Sequence, residues 1–406
     1  MDEFGMGSHS QHSHFGAVGH NHHSPGGSSG GSAVAVATGQ AHLGIGTDTG
    51  GSIRLPASYT SIVGFKPSYG VVSRFGVVPY ANSLDTVGFL TKDVSGARHV
   101  FSEALMYEHV DTRDPTTVTL NSRLRMRRHV LNNGRMRHGA PRANSRLHIG
   151  FPIEYNVFEM AEEVRWAWQN TLDKLQMEGH KITPVSLPST RHALSAYYVL
   201  AAAESASNLA KYDGVRYGTR PDNSTARQDA LYARTRGSGF GSEVRRRILL
   251  GAYTLSSTAI DNHFIQAQRV RRTVQTDFDR VFAMPNPLRD EEQFNLSDMD
   301  ETILLEDKLG PAQVDLLLCP TAPSMPPLQA TVSRQDPVQS FTADIFTVPA
   351  SLAGLPAITI PVPISDTYAG ATGIQIIGQY WDDQFVLQAA EIIEKIMSKS
   401  SNTIRQ

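Results

Sequence analysis

The stretch GTDTGGSIRLPAS, residues 46–58, decides the reading of this chain. It follows a short apolar run, Leu43–Thr47, which reads as a buried strand, and it turns sharply at DTGGS, 48–52. Glycines without side chains let a backbone approach a substrate closely. Thr49, Gly50, Gly51 and Ser52 can aim successive N–H groups at one point. Such a nest binds an anion, and it becomes an oxyanion hole when a carbonyl sits there. A second glycine–serine segment, PGGSSGGSAVAVA at 25–37, lies just upstream. Neither segment is a nucleotide loop. No Gly-Lys-Ser/Thr follows the glycines, and G-x-G-x-x-G between strand and helix is missing. The elbow G-x-S-x-G also fails, because Ile53 and Arg54 follow Ser52. A flexible linker would not hold so definite a pattern between two apolar elements.

Working outward, residues 1–31 read as loop and Ser32–His42 as a buried helix of small residues. Short apolar segments follow at 61–64 and 85–91. Leu147–Pro152 and Lys181–Leu187 read as strands. Between them, Val164, Trp168, Leu172 and Leu175 recur at helical spacing within 158–178. Residues 190–282 are almost free of proline and read as largely helical, too long for a crossover and suited to a cap or side layer. Residues 283–312 are acidic and loop-like. Val314–Leu318, Ala357–Pro361 and Gly373–Ile377 read as buried strands, and Val386, Ala389, Ile393 and Ile396 line a final helix. Strands alternating with helices predict an α/β fold with a mixed sheet.

Composition narrows the function. The 406 residues carry 37 Lys plus Arg against 39 Asp plus Glu, a net charge of −2, which argues against a global positive field for nucleic acid. The 40% hydrophobic content is that of a folded globular chain. Cys319 is the only cysteine, so no internal disulfide exists; it reads as a packing residue. No run of about 18 apolar residues is present. Charge is nevertheless uneven. Eight arginines, at 123, 125, 127, 128, 135, 137, 142 and 146, fall in 121–150 without any Asp or Glu. Two readings compete: an RNA-facing patch, or a solvated insertion at about 121–146, which non-coding sequence read through would also produce. The lack of interleaved aromatics to stack bases favours the insertion.

The paired loops resemble those of the amidase signature family of Ser–cisSer–Lys hydrolases, and the resemblance extends to about residue 397. It implies a single domain over 1–406, a layered α/β/α fold around a central mixed sheet. It implies that Ser52 is the nucleophile and Ser28 the bridging cis-serine, 24 residues apart. Backbone N–H groups of Thr49, Gly50, Gly51 and Ser52 would hold the oxyanion. A neutral lysine, desolvated so that its pKa falls, would take the proton from Ser28. In the family that lysine lies well upstream of the first loop, yet residues 1–27 contain none. Lys66, in GFKPSYG, belongs to a different family motif and is not promoted to base. The expectation is an N-terminally truncated chain, inactive as written. Histidines 9, 12, 14, 20, 22 and 23 crowd the first loop. A metal reading is set aside, since carboxylates to orient the imidazole rings are lacking.

Three further blocks, at 195–218, 243–257 and 343–363, resemble the glutamine-hydrolysing branch of the family that serves tRNA-dependent amidotransferases. From them the resemblance implies a glutamine pocket of Tyr198 (or Tyr197), Arg247 (or Arg246) and Asp344. A guanidinium suits the α-carboxylate and a carboxylate the ammonium. Each has a plainer reading: Arg245–Arg247 as a solvated helix face, Asp344 as a helix N-cap. Asp48 and Arg54 flank the nucleophile loop and are expected to pair and hold it. The implied partner is the B subunit of an amidotransferase, which would bind ATP and Mg and convert Glu-tRNA(Gln); a small third subunit is optional. No cofactor or metal is expected in this chain, and the resemblance points to mitochondria. Two alternatives stay open: a general amidase on small amides, and a non-catalytic subunit.

Overall fold

The computed structural model describes all residues except 104–106, 133–145, 221–231, 290–312, 333, 335–339, 366–370 and 404–406. The first glycine loop runs into α1 (Gly30–Ala37), and the chain returns along β1 (Leu43–Asp48). The second loop then opens α2 (Arg54–Thr60), followed by β2 (Val63–Lys66), β3 (Thr86–Thr91), α3 (Val94–Glu103) and α4 (Leu120–Asn132). Next come β4 (His148–Pro152), α5 (Glu162–Met177) and β5 (Lys181–Val185). A helical block holds α6 (Ala193–Leu209), α7 (Ala233–Gly239), α8 (Ser242–Thr254) and α9 (Gln266–Val281). The chain closes with β6 (Leu316–Pro320), α10 (Gln329–Val332), α11 (Val348–Ala353), β7 (Ala357–Pro363), β8 (Ala371–Ile377) and α12 (Asp383–Thr403).

The strands form one mixed sheet in the order β1-β3-β2-β7-β8-β6-β4-β5. Pairs along β1, β3, β2, β7, β8 and β6 are antiparallel, while β4 is parallel to both β6 and β5. The near-continuous apolar runs at β6, β7 and β8 lie at the centre, covered on both faces. Successive residues of β2 show the two layers. Phe65 meets Phe101 of α3 edge to face at 5.5 Å, while a Cβ on Gly64 would press on Ala57 of α2. The fold is therefore the layered α/β/α arrangement expected. On α5, Val164, Trp168 and Leu175 are buried, contributing about 1.5–3 kcal/mol each. Among the described residues no helix is long and apolar enough to cross a membrane.

Two expectations need correction. β1 is an edge strand with a single neighbour, so Ile45 is 61% exposed rather than buried. The part of the basic stretch that is described is not an insertion loop. Residues 120–132 form α4, whose Met126 and Val130 join the main core. Residues 133–145 of that stretch, and 290–312 of the acidic one, lie outside the described residues.

Candidate active site

Asp48 ends β1 and organises the turn that follows. Its Oδ2 accepts the N–H groups of Ile53 and Arg54 at 3.3 and 3.4 Å, closing the chain into the start of α2. The Arg54 guanidinium folds back on the same carboxylate through Nε and Nη2, at 2.9 and 2.8 Å. It also donates to the Thr347 carbonyl, Gln375 Oε1 and Ser351 Oγ at 2.8, 2.5 and 2.7 Å. Asp48 and Arg54 are both fully buried. Burial pushes the Asp48 carboxyl up, but the Arg54 charge and hydrogen bonds outweigh it and leave the carboxyl below its ordinary range. The expected pairing is present, and it ties the turn to α11 and β8.

Glycine is required inside the turn by close approach. A Cβ on Gly50 would lie 2.6 Å from Tyr197 Cζ and 2.7 Å from its hydroxyl oxygen. A Cβ on Gly51 would lie 2.2 Å from Thr347 Oγ1 and 3.0 Å from Asp344 Oδ1. Thr49 Oγ1 donates to Asp85 at 2.7 Å; burial pushes that carboxyl up to about 6. Ser52 is half-buried.

The first loop lies against this turn. The Gly27–Ser28 peptide bond is cis. Ser29 N–H donates to the Ser52 carbonyl at 3.1 Å, and Ser29 Oγ bridges to the backbone of Thr47 at 3.2 Å. Ser28 is fully buried, and its Oγ makes no hydrogen bond. A direct Ser52–Ser28 hydroxyl contact is therefore not made here. Lys66 does not hydrogen-bond Ser28. It is buried, its Nζ donates to the Pro67 carbonyl at 3.0 Å, and burial with the Arg54 charge lowers its pKa to about 7.

The three downstream blocks meet at the turn. Tyr198 O–H donates to Asp344 Oδ2 at 3.4 Å, and its ring stacks on Phe341 with centroids 4.0 Å apart. Tyr197 covers Gly50, so both tyrosines reach the site. Arg247 is buried while Arg246 points outward; both pair with Glu243. Arg247 Nε binds Glu243 at 2.8 Å and Nη1 binds Tyr80 Oη at 2.5 Å, leaving Nη2 without a hydrogen bond. Asp344 sits in a 3-10 turn at Thr342–Asp344 rather than capping a longer helix. Burial pushes its carboxyl up to about 6, against the opposing Ser8 hydrogen bond of 2.9 Å and the Arg247 charge. A cavity of about 210 Å³ opens here, lined by Ser8, His9, His12, Arg247 and Phe341 among others. Two of the six first-loop histidines, His9 and His12, thus line a pocket wall, with His9 driven down to about 4 by burial. Ser8, Tyr80, Asp85 and Glu243 were missed by sequence reasoning. No local pattern marks Ser8, Tyr80 or Asp85, whose partners lie 336, 167 and 36 residues away, whereas Glu243 stands four residues before Arg247, a helical spacing that could have marked it.

A glycine turn at a sheet edge, locked by a buried ion pair and set against a cis-serine loop, places the molecule among the amidases. The profile of the Amidase family matches residues 1–387, and the chain belongs to that family. It is 54% identical over 405 residues to the A subunit of the mitochondrial glutamyl-tRNA(Gln) amidotransferase of Podospora anserina, covering 97% of this chain and 79% of that one. The protein of the same name from Neurospora crassa is 53% identical over 434 residues, covering 98% and 80%. Among solved structures, the glutamyl-tRNA(Gln) amidotransferase A subunit of Thermotoga maritima superposes with a TM-score of 0.67 at 32% identity, covering 97% of this chain and 72% of that one.

Proposed function

We propose that this chain is the glutamine-hydrolysing A subunit of a mitochondrial glutamyl-tRNA(Gln) amidotransferase, built on one amidase domain with α6–α9 as its helical cap. Ser52 Oγ attacks the side-chain amide carbon of glutamine. Its proton passes to Ser28, and the negative oxygen is held by the N–H groups of Thr49 to Ser52. The carbon–nitrogen bond breaks, ammonia leaves with a proton, and water then cleaves the Ser52 ester. No described residue hydrogen-bonds Ser28 Oγ, so the lysine that ends the relay in the family pattern has no counterpart among them.

The α-carboxylate of glutamine is met by Arg247, whose Nη2 is uncommitted, and the ammonium by Asp344, with Tyr198 beside both. An arriving ammonium would draw the raised Asp344 carboxyl back toward ionisation. The observation that carries this reading is the approach of Gly51 to Asp344. It sets the pocket for the α-groups one residue from Ser52. Ammonia would pass to the B subunit, where ATP and Mg activate Glu-tRNA(Gln), with or without a small third subunit.

The test is a chimera with a lysine-bearing amidase strand grafted ahead of residue 1. It should hydrolyse glutamine in preference to a neutral amide such as butyramide, and Ser52→Ala should abolish the activity. Preference for the neutral amide would instead establish a general amidase. Retention of activity in Ser52→Ala would remove the mechanism.

A further inference from the structure

We propose that the outward face of α4 binds the phosphate backbone of RNA. The helix is held to the body by a definite inner face. Met126 and Val130 are buried, and Arg123 turns inward to donate to the Val118 and Val71 carbonyls at 2.7 and 2.9 Å. Positions 123, 126 and 130 share one side of a 3.6-residue period, which leaves Leu124, Arg125 and Arg128 facing out with Arg127 beside them. All four are exposed. Asn121, Leu124, Arg125, Arg128 and His129 border a shallow groove of about 410 Å³ along the helix.

Arg125, Arg127 and Arg128 have no hydrogen bond or ion pair among the described residues. Glu108 borders a neighbouring cavity with Arg127 and makes no ion pair with it. Residues 115–153 hold eight arginines, no lysine and no acid, so against a total of −2 the rest of the chain carries −10. Such segregation repels itself and adds nothing to stability, but it attracts a polyanion. A guanidinium fork grips phosphate in two bonds where an ammonium offers a point charge. The missing aromatics exclude base stacking and leave backbone contact untouched. An anionic membrane or a protein partner fits less well. Among the described side chains of α4, Leu120 and Leu124 are the exposed large apolar ones, too few to insert into lipid or to form an interface core. The choice of tRNA as the RNA rests on the function proposed above.

The test measures binding of an unacylated tRNA(Gln) transcript to the full chain by fluorescence anisotropy at 50 and 200 mM salt, in wild type and in Arg125→Gln/Arg128→Gln. Each lost phosphate contact removes about 0.7–0.9 from the salt slope, so two shrink the affinity ratio between these salts by roughly tenfold. That reduction, with unchanged circular dichroism, supports the inference. An unchanged slope, or no binding by wild type at 50 mM, overturns it. A double substitution that spares tRNA but abolishes binding to phosphatidylserine vesicles, or assembly with the B subunit, also overturns it. Binding needs no hydrolysis, so a chain that grips tRNA but never hydrolyses glutamine refutes the proposed function alone.

Discussion

Arg54→Met tests whether the glycine turn after β1 is held by charge. Methionine keeps much of the stem volume and removes the guanidinium. Asp48 stays fully buried with its partner gone, and Ser351, Gln375 and the Thr347 carbonyl each lose a hydrogen bond. Breaking one side of a buried ion pair costs about 3–5 kcal/mol. With a urea slope of about 3 kcal/mol/M, the unfolding midpoint should fall by about 1 to 1.7 M, read by tryptophan fluorescence. Asp48→Asn/Arg54→Met should be less destabilised than Arg54→Met, because no uncompensated charge remains. The pH dependence gives the sign. In wild type the depressed Asp48 carboxyl contributes stability that is present above its unfolded value near 4 and is lost as pH falls through its lower folded value. Without Arg54 burial is opposed only by the Lys66 charge and backbone hydrogen bonds, the carboxyl rises, and the variant should lose stability as pH climbs above the unfolded value near 4. A loss under about 1 kcal/mol, or a double variant worse than the two singles summed, refutes the argument.

Gly50→Ala would drive a methyl group into the Tyr197 ring; overpacking of this kind costs about 1–3 kcal/mol, and thermal melting should show it, with Gly50→Ala/Tyr197→Ala less destabilised than the two singles summed. Ser28→Ala removes a buried hydroxyl that has no partner, so it should leave the unfolding midpoint unchanged or raise it, while the lysine-grafted chimera loses turnover. Asp344, at about 6, must be ionised to hold an ammonium. Glutamine affinity by calorimetry should therefore fall about tenfold per pH unit below about 6 and level off above it; a flat profile from about pH 5 to 7 would remove Asp344 from the pocket.

The central strands were legible because β6, β7 and β8 are apolar on both faces, and α5 and α12 because their buried positions recur at helical spacing. β1 misled because a short apolar strand looks the same at the centre of a sheet and at its edge; only pairing tells them apart. α4 was hidden by its arginines. Among its described side chains the apolar inner positions are Met126 and Val130, too weak a period to register beside so many charges. In the site, the two glycine loops announced themselves through backbone chemistry that few other residues permit. Sequence alone left Tyr197 and Tyr198 undivided, and geometry gives each a separate contact. Tyr80 and Asp85 left no trace, because their importance lies in reaching Arg247 and Thr49.

The Arg54 cluster also bears on how the molecule comes together. Its partners beyond Asp48 stand 293, 297 and 321 residues further along. Contacts of such separation form late, after the entropy of a long loop closure has been met. While the chain emerges from a ribosome, or threads through a translocation pore, the glycine turn lacks its clamp until β8 arrives. On the function proposed above, a nascent or half-delivered polypeptide would thus be unable to consume glutamine.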